Sequence, residues 1–326
     1  MEVFLFIVSF LGILLAAELF TNAVEIIGDR LNLSHGVVGS LLAAVGTALP
    51  ETLVPIVALL FGSPQFKEHI ANGAILGAPF MLATLGFFVI GIAAALRRDF
   101  KIETNTFLIR RDLTFFTVFF PPAIFLGFAS DLHWLKIGVA LLLLAGYIYY
   151  IYHVVKEGGD TVESEEELYF NRYMKLPANL LTSIVQFISS LILLLVSVEI
   201  FVHSLELLSK QLGVSPLVFS LLVSPVATEL PEKFNSFFWS LRGKYELAFG
   251  NITGAMVFQS TIPVSVGLIF TDWNIGHAGI LSGFFALIGA LIVLYQIRFK
   301  GQIYSPLLWV NGVVYLVYGL LAINNF

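Results

Sequence analysis

The chain has 326 residues, of which 58% are hydrophobic and 12% are charged, and its formal net charge is -5. A soluble globular domain carries roughly a quarter charged residues, so this composition excludes a mainly water-exposed protein. The chain contains no cysteine. Disulfides, thiolate metal sites, cysteine nucleophiles and palmitoyl anchors are therefore excluded.

Long uncharged stretches follow one another through the chain and predict an all-α integral membrane protein. At ~20 apolar residues per membrane-spanning helix, there is room for about ten spans and little soluble mass besides. The first span is expected to be a retained helix, because no basic leader precedes it. The predicted spans cover residues 3–28, 36–62, 70–96, 113–130, 135–155, 178–209, 215–241, 247–270, 276–296 and 304–324.

Basic residues distinguish the two sets of loops that these spans define. The odd-numbered loops hold thirteen Lys and Arg residues, whereas the even-numbered loops and the span ends beside them hold three, and Lys233 lies inside a span. Because cytoplasmic loops are enriched in Lys and Arg, the odd-numbered loops are predicted to be cytoplasmic. We therefore expect a multi-pass protein of the cell membrane with both termini extracytoplasmic.

An internal repeat organises the chain. At an offset of 181 residues, Ala16–Thr52 aligns with Ser197–Lys233 without a gap, and twelve of the 37 pairs are identical. The identical pairs include Leu49-Pro50-Glu51 with Leu230-Pro231-Glu232. Five spans in each half make the second half enter the membrane from the opposite side, so the repeats are predicted to be inverted. Secondary transporters use this architecture and place their site where the repeats meet.

The repeat divides the chain into a first inverted repeat at 1–156, an acidic cytoplasmic linker at 157–177 and a second inverted repeat at 178–326. The composition of the linker predicts a solvated connector. Calcium sensing is the alternative, although the linker lacks the spaced oxygen ligands and the turn glycine of an EF-hand loop. Its acidic cluster consists of Glu163, Glu165, Glu166 and Glu167.

Two Leu-Pro-Glu segments each place a carboxylate near the middle of a predicted span, Glu51 in the second and Glu232 in the seventh. An unpaired carboxylate at that depth costs on the order of 3 kcal/mol or more, so something must compensate. Pro50 and Pro231 have no amide hydrogen for the carbonyl four residues earlier. Each proline therefore exposes a backbone oxygen beside a carboxylate.

Two threonines add hydroxyl groups to these segments. Thr47 and Thr228 precede Glu51 and Glu232 by four residues, which places each hydroxyl on the same helical face as its carboxylate. Carboxylate, carbonyl and hydroxyl oxygens are the ligands of hard cations such as Na⁺ and Ca²⁺. The alternative is that each glutamate only hydrogen-bonds a neighbouring helix around a proline kink. Two motifs related by inverted symmetry favour a cation site.

A third carboxylate, Glu229, lies near the second motif and is a further candidate ligand. Lys233 could pair with Glu229 and offset its charge. Adjacent helical residues point ~100° apart, so Lys233 is expected to face away from Glu232 and to snorkel or pair elsewhere. The glycine-rich stretches Gly73–Ala78 and Gly250–Ala255 are expected to let their helices pack closely against the proline breaks.

These motifs resemble the cation/calcium antiporter superfamily, which includes the sodium/calcium exchangers. Its repeats carry Gly-Thr-Ser-Leu-Pro-Glu in one helix and Gly-Asn-x-x-Gly-Ser-Asn in the next. The corresponding segments here are Gly46-Thr-Ala-Leu-Pro-Glu51, Ala227-Thr-Glu-Leu-Pro-Glu232 and Gly250-Asn-Ile-Thr-Gly254-Ala255. The resemblance implies a ten-helix fold in which Glu51 and Glu232 coordinate the transported cation, with Thr47 and Thr228 contributing oxygens.

The chain departs from the family pattern at several ligand positions. The serine of the first helix is replaced by Ala48 and Glu229 in the two halves, and the following serines by Ala78 and Ala255. The polar Asn or Asp positions farther along are replaced by Leu82 and Gln259. Several sodium ligands of the family are therefore missing, and a paired-carboxylate cation site remains.

The predicted function is secondary active transport by alternating access, with Ca²⁺ exchanged for Na⁺ or H⁺. A desolvated carboxylate pair is costly to move through the membrane unless cations or protons neutralise it. The expected partners are the lipid bilayer and small inorganic cations, without cofactor, nucleic acid or obligate protein partner. The alternatives are a transport-dead relative or regulator and an intramembrane enzyme. The enzyme is disfavoured because the sequence has no His-Glu-x-x-His motif, Gly-x-Ser-x-Gly elbow or cysteine.

Overall fold

The structure is a computed structural model that describes residues 1–30, 43–129, 132–157, 167–177 and 179–325. Within these ranges, the side chains of residues 25, 28–30, 43–49, 155, 157, 231, 232 and 323–325 are outside the description. Two of the predicted ligands, the side chains of Thr47 and Glu232, therefore lie outside the described residues. The linker residues Glu163, Glu165 and Glu166 also lie outside them.

The described chain is almost entirely helical. The first half contains α1 (Glu2–Arg30), α2 (Ala43–Phe61), α3 (Lys67–Met81), a π-helical segment (Leu82–Gly86), α4 (Phe87–Leu96), strand β1 (Lys101–Ile102), α5 (Thr106–Leu126) and α6 (His133–Glu157). The second part contains α7 (Tyr169–Met174), α8 (Leu180–Leu212), α9 (Pro216–Leu241), α10 (Tyr245–Gln259), α11 (Ile262–Phe270), α12 (Gly276–Tyr295), a π-helical segment (Gln296–Lys300), strand β2 (Ile303–Tyr304) and α13 (Ser305–Asn325).

Many of these helices are suited to a lipid environment. Two shorter apolar helical stretches, Pro50–Phe61 and Pro216–Leu230, carry the regions of the Leu-Pro-Glu motifs. Every predicted span overlaps helical residues in the part of the chain that the structure describes. Seven helical stretches within that part are long and apolar enough to cross a membrane: Glu2–Val24, Lys67–Leu96, His133–Val154, Leu180–Leu212, Tyr245–Phe270, Gly276–Lys300 and Ser305–Ala322.

Capping residues fix several helix ends. The Asn105 side chain accepts a hydrogen bond from the Phe107 amide at 3.1 Å, so α5 begins at Thr106 rather than at the predicted residue 113. Asn179 caps α8 in the same way, accepting from the Thr182 amide at 2.9 Å. Side-chain oxygens at this position satisfy amides that have no partner within the helix.

The predicted third and eighth spans are each interrupted. Pro79 in α3 has no amide hydrogen for the Ile75 carbonyl, and the helix continues into the π-helical segment Leu82–Gly86. In the eighth span, α10 ends at Gln259 and α11 begins at Ile262, where Pro263 cannot donate to the Gln259 carbonyl. The motif alignment pairs residue 82 with residue 259, so the two breaks occupy corresponding positions.

Helices α1 and α8 pack along most of their lengths. The Phe6 ring lies 5.2 Å from the Phe201 ring, and the Phe20 ring lies 5.0 Å from the Phe187 ring. At the 181-residue offset, Phe6 corresponds to Phe187 and Phe20 corresponds to Phe201. Each of the two ring contacts is therefore the counterpart of the other.

Helices α3 and α9 are in direct backbone contact. A Cβ atom at Gly73 would overlap the Leu217 carbonyl oxygen, and one at Gly77 would overlap the Leu221 carbonyl oxygen. Pro225 has no amide hydrogen for the Leu221 carbonyl, so Gly77 covers a carbonyl that lacks its helical donor. The first glycine stretch thus packs on α9 at Pro225. Gly250 and Gly254 have no described atom within 4 Å of such a Cβ.

Connections between helices meet in two groups, at opposite ends of the helical stretch Lys67–Leu96. At one end, the Arg97 guanidinium donates to the Leu241 carbonyl at 2.8 Å, and β1 pairs with β2 in an antiparallel register. The Tyr245 hydroxyl and the Arg97 guanidinium hold the pKa of the Asp99 carboxyl below its usual value. At the other end, the Lys136 ammonium donates to the Asp272 carbonyl at 3.0 Å.

The described end of the linker is bound to the helices. The Tyr169 hydroxyl donates to the Glu18 carboxylate at 2.7 Å, and the Tyr169 amide donates to the Asn22 side chain at 3.0 Å. The Phe170 amide donates to Gln186 of α8 at 2.8 Å. Polar side chains of α1 and α8 therefore anchor the backbone of α7 at this end, while residues 172–177 are exposed. That the linker is a solvated connector stays a prediction.

We expect Gly77→Ala to destabilise the protein, because the new methyl group would force α3 away from the Leu221 carbonyl. Overpacking of this kind costs about 1–3 kcal/mol. Gly138→Ala is the matched control, since Gly138 in α6 has no described atom within 4 Å of the added Cβ. Thermal unfolding of the purified variants measures the difference. Equal unfolding temperatures for the two variants would contradict the close α3–α9 packing.

Candidate functional site

Glu51 lies in α2, a helix that contains two internal prolines. Its side chain is only 6% exposed, and the two prolines are Pro50 and Pro55. These prolines have no amide hydrogens for the carbonyls of Gly46 and Glu51, respectively. The sequence motif identified the first of these carbonyls, and Pro55 adds the second. Helix α2 contacts α3, α9 and α10, so Glu51 is placed within the central helices.

A row of buried hydroxyl groups runs along one face of α9. The Ser220 hydroxyl donates to the Ile70 carbonyl at 2.7 Å, and the hydroxyls of Ser220 and Ser224 are 3.0 Å apart. The predicted ligand Thr228 is buried, and its hydroxyl donates to the Ser224 carbonyl at 3.3 Å. A hydroxyl that donates its hydrogen keeps lone pairs for a cation. The Thr228 oxygen is therefore able to accept a hydrogen bond or to ligate a cation.

The third carboxylate, Glu229, forms an ion pair inside α9. Its Oε2 atom lies 2.6 Å from the Lys233 ammonium nitrogen one helical turn away. Glu229 is 1% exposed and Lys233 is 7% exposed. The Oε1 atom of Glu229 is buried and has no hydrogen-bond partner among the described residues. The expectation that Lys233 snorkels or pairs elsewhere is therefore wrong, because a residue four positions after Glu229 lies on the same helical face and reaches its carboxylate.

The positions at which the family pattern has polar ligands are mostly apolar and buried. Ala78 and Leu82 are both part of the buried core on α3 and its π-helical segment. Gln259, at the end of α10, is 2% exposed, and its Oε1 atom has no hydrogen-bond partner among the described residues. Gln259 is thus a buried polar group at the break of the eighth span.

A buried acidic residue that the motifs did not indicate, Asp112, supports α10. Its carboxylate accepts from the Thr253 hydroxyl at 2.7 Å and from the Tyr150 hydroxyl at 3.0 Å. It also pairs with Arg111 at 3.1 Å, and the whole residue is 3% exposed. Asp112 was assigned to a loop because the apolar run begins after it. The Asn105 cap was the signal that could have extended the helix.

No group of three or more His, Asp and Glu side chains converges on a metal position within the side chains that the structure describes. Glu51, Thr228 and Glu229 are all buried among the central helices. The described candidate ligands are therefore buried carboxylate and hydroxyl oxygens on α2 and α9.

Comparison with known proteins places these helices in a transporter family. Residues 1–156 and 182–324 match the sodium/calcium exchanger protein family. A chain of Alkalimonas amylolytica, the candidate antiporter CaxA, is 27% identical over 286 residues, covering 86% of this chain and 84% of the relative.

Solved structures show the same fold. The H⁺/Ca²⁺ exchanger CAX superposes with a TM-score of 0.74 at 19% identity, covering 98% of this chain and 86% of the neighbour. The sodium-calcium exchanger NCX_Mj superposes with a TM-score of 0.59 at 20% identity, covering 97% and 96%. These proteins are exchangers and antiporters rather than enzymes. The predicted superfamily and the all-α membrane fold are confirmed.

Thr253→Val should destabilise the protein, because it removes a donor from the buried Asp112 carboxylate. Loss of one such partner costs about 1–3 kcal/mol. Thr253→Ser keeps the hydroxyl and should unfold close to the parent. Thr117→Val is the matched control, since the Thr117 hydroxyl donates only to backbone carbonyls of its own helix. Denaturant unfolding followed by tryptophan fluorescence measures the series, and equal losses for Thr253→Val and Thr117→Val would refute the role of Asp112.

Proposed function

Since the chain belongs to the sodium/calcium exchanger protein family, we propose that it exchanges Ca²⁺ for H⁺ or Na⁺ across the cell membrane by alternating access. Cation/calcium antiport follows from the family and its antiporter relatives. The single observation that carries the site is Glu51, a carboxylate buried among the central helices beside two prolines. A carboxylate in this environment needs a cation, a proton or a donor to neutralise it.

The proposed cation site consists of Glu51 and Glu232 as the central carboxylates, with Thr47 and Thr228 as neighbouring oxygen donors. The repeat makes Glu51 and Glu232 equivalent, and it makes Thr47 and Thr228 equivalent. The buried Thr228 hydroxyl on α9 supports the second half of this assignment. Glu229 is proposed as a third carboxylate of the site. The cation is cargo, and the proposal requires no resident cofactor.

The identity of the counter-ion is proposed from the residues that differ from the family pattern. CAX is an H⁺/Ca²⁺ exchanger and NCX_Mj is a sodium-calcium exchanger. Ala78 and Ala255 stand where the family carries serine ligands, so this chain offers fewer oxygens to sodium ions. We therefore favour H⁺ over Na⁺ as the counter-ion.

The proposed architecture is two inverted five-helix repeats, at 1–156 and 178–326, joined by a cytoplasmic linker at 157–177. The paired ring contacts Phe6–Phe201 and Phe20–Phe187 support the two-fold relation, because the repeat offset converts one into the other. The grouping of the connections supports ten crossings. The third, seventh and ninth loops meet at one end of the helical stretch Lys67–Leu96, and the fourth and eighth loops meet at its other end.

We expect calcium uptake into proteoliposomes under an imposed proton gradient, and we expect Glu51→Gln and Glu232→Gln to abolish it. Each substitution keeps the shape of the side chain but removes the negative charge that attracts the cation. Glu246→Gln is the matched control, because Glu246 is exposed and bonds only Asn105 in the described contacts. Radioactive calcium measures uptake, with sodium and potassium gradients run in parallel.

Uptake that follows the sodium gradient instead would identify Na⁺ as the counter-ion. Uptake that persists in both Glu51→Gln and Glu232→Gln would contradict the site. No calcium movement under any gradient, in a folded protein, would favour the alternative of a transport-dead relative or regulator.

The orientation is testable because the natural chain has no cysteine. A single cysteine at Lys210→Cys should react with a membrane-impermeant maleimide in intact cells, since its loop is proposed to be extracytoplasmic. Lys244→Cys should react only after the membrane is permeabilised. Both lysines are exposed, so accessibility within the fold does not distinguish them. The reverse labelling pattern would place the termini in the cytoplasm.

A further inference from the structure

The ion pair between Glu229 and Lys233 has three properties that set it apart from an ordinary surface salt bridge. Both residues are buried, at 1% and 7% exposure, and their charged atoms are 2.6 Å apart. The second carboxylate oxygen, Glu229 Oε1, is buried without a hydrogen-bond partner among the described residues. On α9, Glu229 directly follows Thr228, and Lys233 directly follows Glu232. A half-satisfied carboxylate at this position has one oxygen left for a ligand.

The pair is present in only one half of the repeat. At the 181-residue offset, Glu229 corresponds to Ala48 and Lys233 corresponds to Thr52. Neither position in the first half carries a charge. The second half therefore contains one added negative charge and one added positive charge, one helical turn apart. The pair leaves the net charge of the region unchanged while adding a carboxylate oxygen.

We propose that the Lys233 ammonium is a built-in cation of the transport site, which occupies the place of one monovalent cation beside Glu229. This inference rests on the proposed function, in which Glu51 and Glu232 bind the transported ion. Glu229 then uses Oε2 for Lys233 and Oε1 for the transported ion. Lys233 thereby determines how many mobile cations the site takes up.

The charges of the site fit one divalent cation. Glu51, Glu229 and Glu232 contribute three negative charges and Lys233 one positive charge, which leaves two negative charges for Ca²⁺. Without the ammonium, the same three carboxylates would need Ca²⁺ and one further monovalent cation to be neutral. Because charge inside the membrane must be neutralised locally, the number of bound ions follows from this sum.

The first test is equilibrium binding of radioactive sodium to the purified protein at saturating calcium. The parent should bind no sodium at the site, whereas Lys233→Met should bind about one sodium ion per chain, because the third carboxylate is then unpaired. The double variant Glu229→Gln with Lys233→Met removes both charges and should again bind none. Lys210→Met is the matched control, since Lys210 forms the same type of pair with Glu206 on α8 at 2.8 Å.

A second measurement keeps the inference testable if Lys233→Met does not fold. Glu229→Gln leaves an unpaired ammonium next to Glu232, so its calcium affinity should fall by at least about tenfold through charge repulsion. The double variant should recover affinity because it restores the net charge of the parent site. A purely structural ion pair predicts the opposite pattern, a lower unfolding temperature for Glu229→Gln with an unchanged calcium dissociation constant.

The outcomes separate this inference from the proposed function. A parent protein that binds no calcium would overturn the proposed function and with it the premise of the inference. A parent that binds calcium through Glu51 and Glu232, with no sodium bound by folded Lys233→Met, would overturn the inference alone. Unchanged calcium affinity in Glu229→Gln would do the same. Sodium bound by Lys233→Met and not by the double variant would establish the ammonium as a replacement for a mobile cation.

Discussion

Charge inside an apolar helical bundle has to be neutralised where it lies, because neither lipid nor hydrocarbon side chains can solvate it. The structure meets this requirement in two different ways. Asp112 is held by three side-chain partners, Arg111, Tyr150 and Thr253. Among the described residues, Glu229 has a partner for one oxygen only. The first arrangement is suited to fixing helices in place, and the second to a group that exchanges ligands.

The same requirement applies to the backbone. Prolines in α2 and α9 remove helical donors from carbonyls, and each of these oxygens needs another neighbour inside the membrane. At Leu221 that neighbour is the Cα region of Gly77, which can approach only because no side chain intervenes. Carbonyls of α2 beside Glu51 are in the region proposed for the cation. A close glycine contact therefore occurs where a proline leaves a backbone oxygen without its helical donor.

Much of the fold could be predicted from the sequence because lipid imposes a simple pattern on it. The spans followed from apolar runs, and the repeat from charged residues such as Glu51 and Glu232 that composition alone would not align. The missed features depend on tertiary contacts. Asp112 was assigned to a loop, and its buried position follows from the contacts with Thr253 and Tyr150. The sequence analysis expected Lys233 to snorkel or pair elsewhere, whereas in the structure it pairs with Glu229 one helical turn away.

The two halves combine a symmetric frame with an asymmetric site. The contacts Phe6–Phe201 and Phe20–Phe187 are equivalent under the repeat. Such equivalence allows a frame to open to either side of the membrane with similar packing. The Glu229–Lys233 pair breaks this equivalence, since Ala48 and Thr52 occupy the matching positions. Because the charges of Glu229 and Lys233 cancel, the pair adds a carboxylate oxygen without changing the net charge of this region. Under the proposed mechanism, ion selection can therefore diverge in one half while the symmetric packing of α1 and α8 is retained.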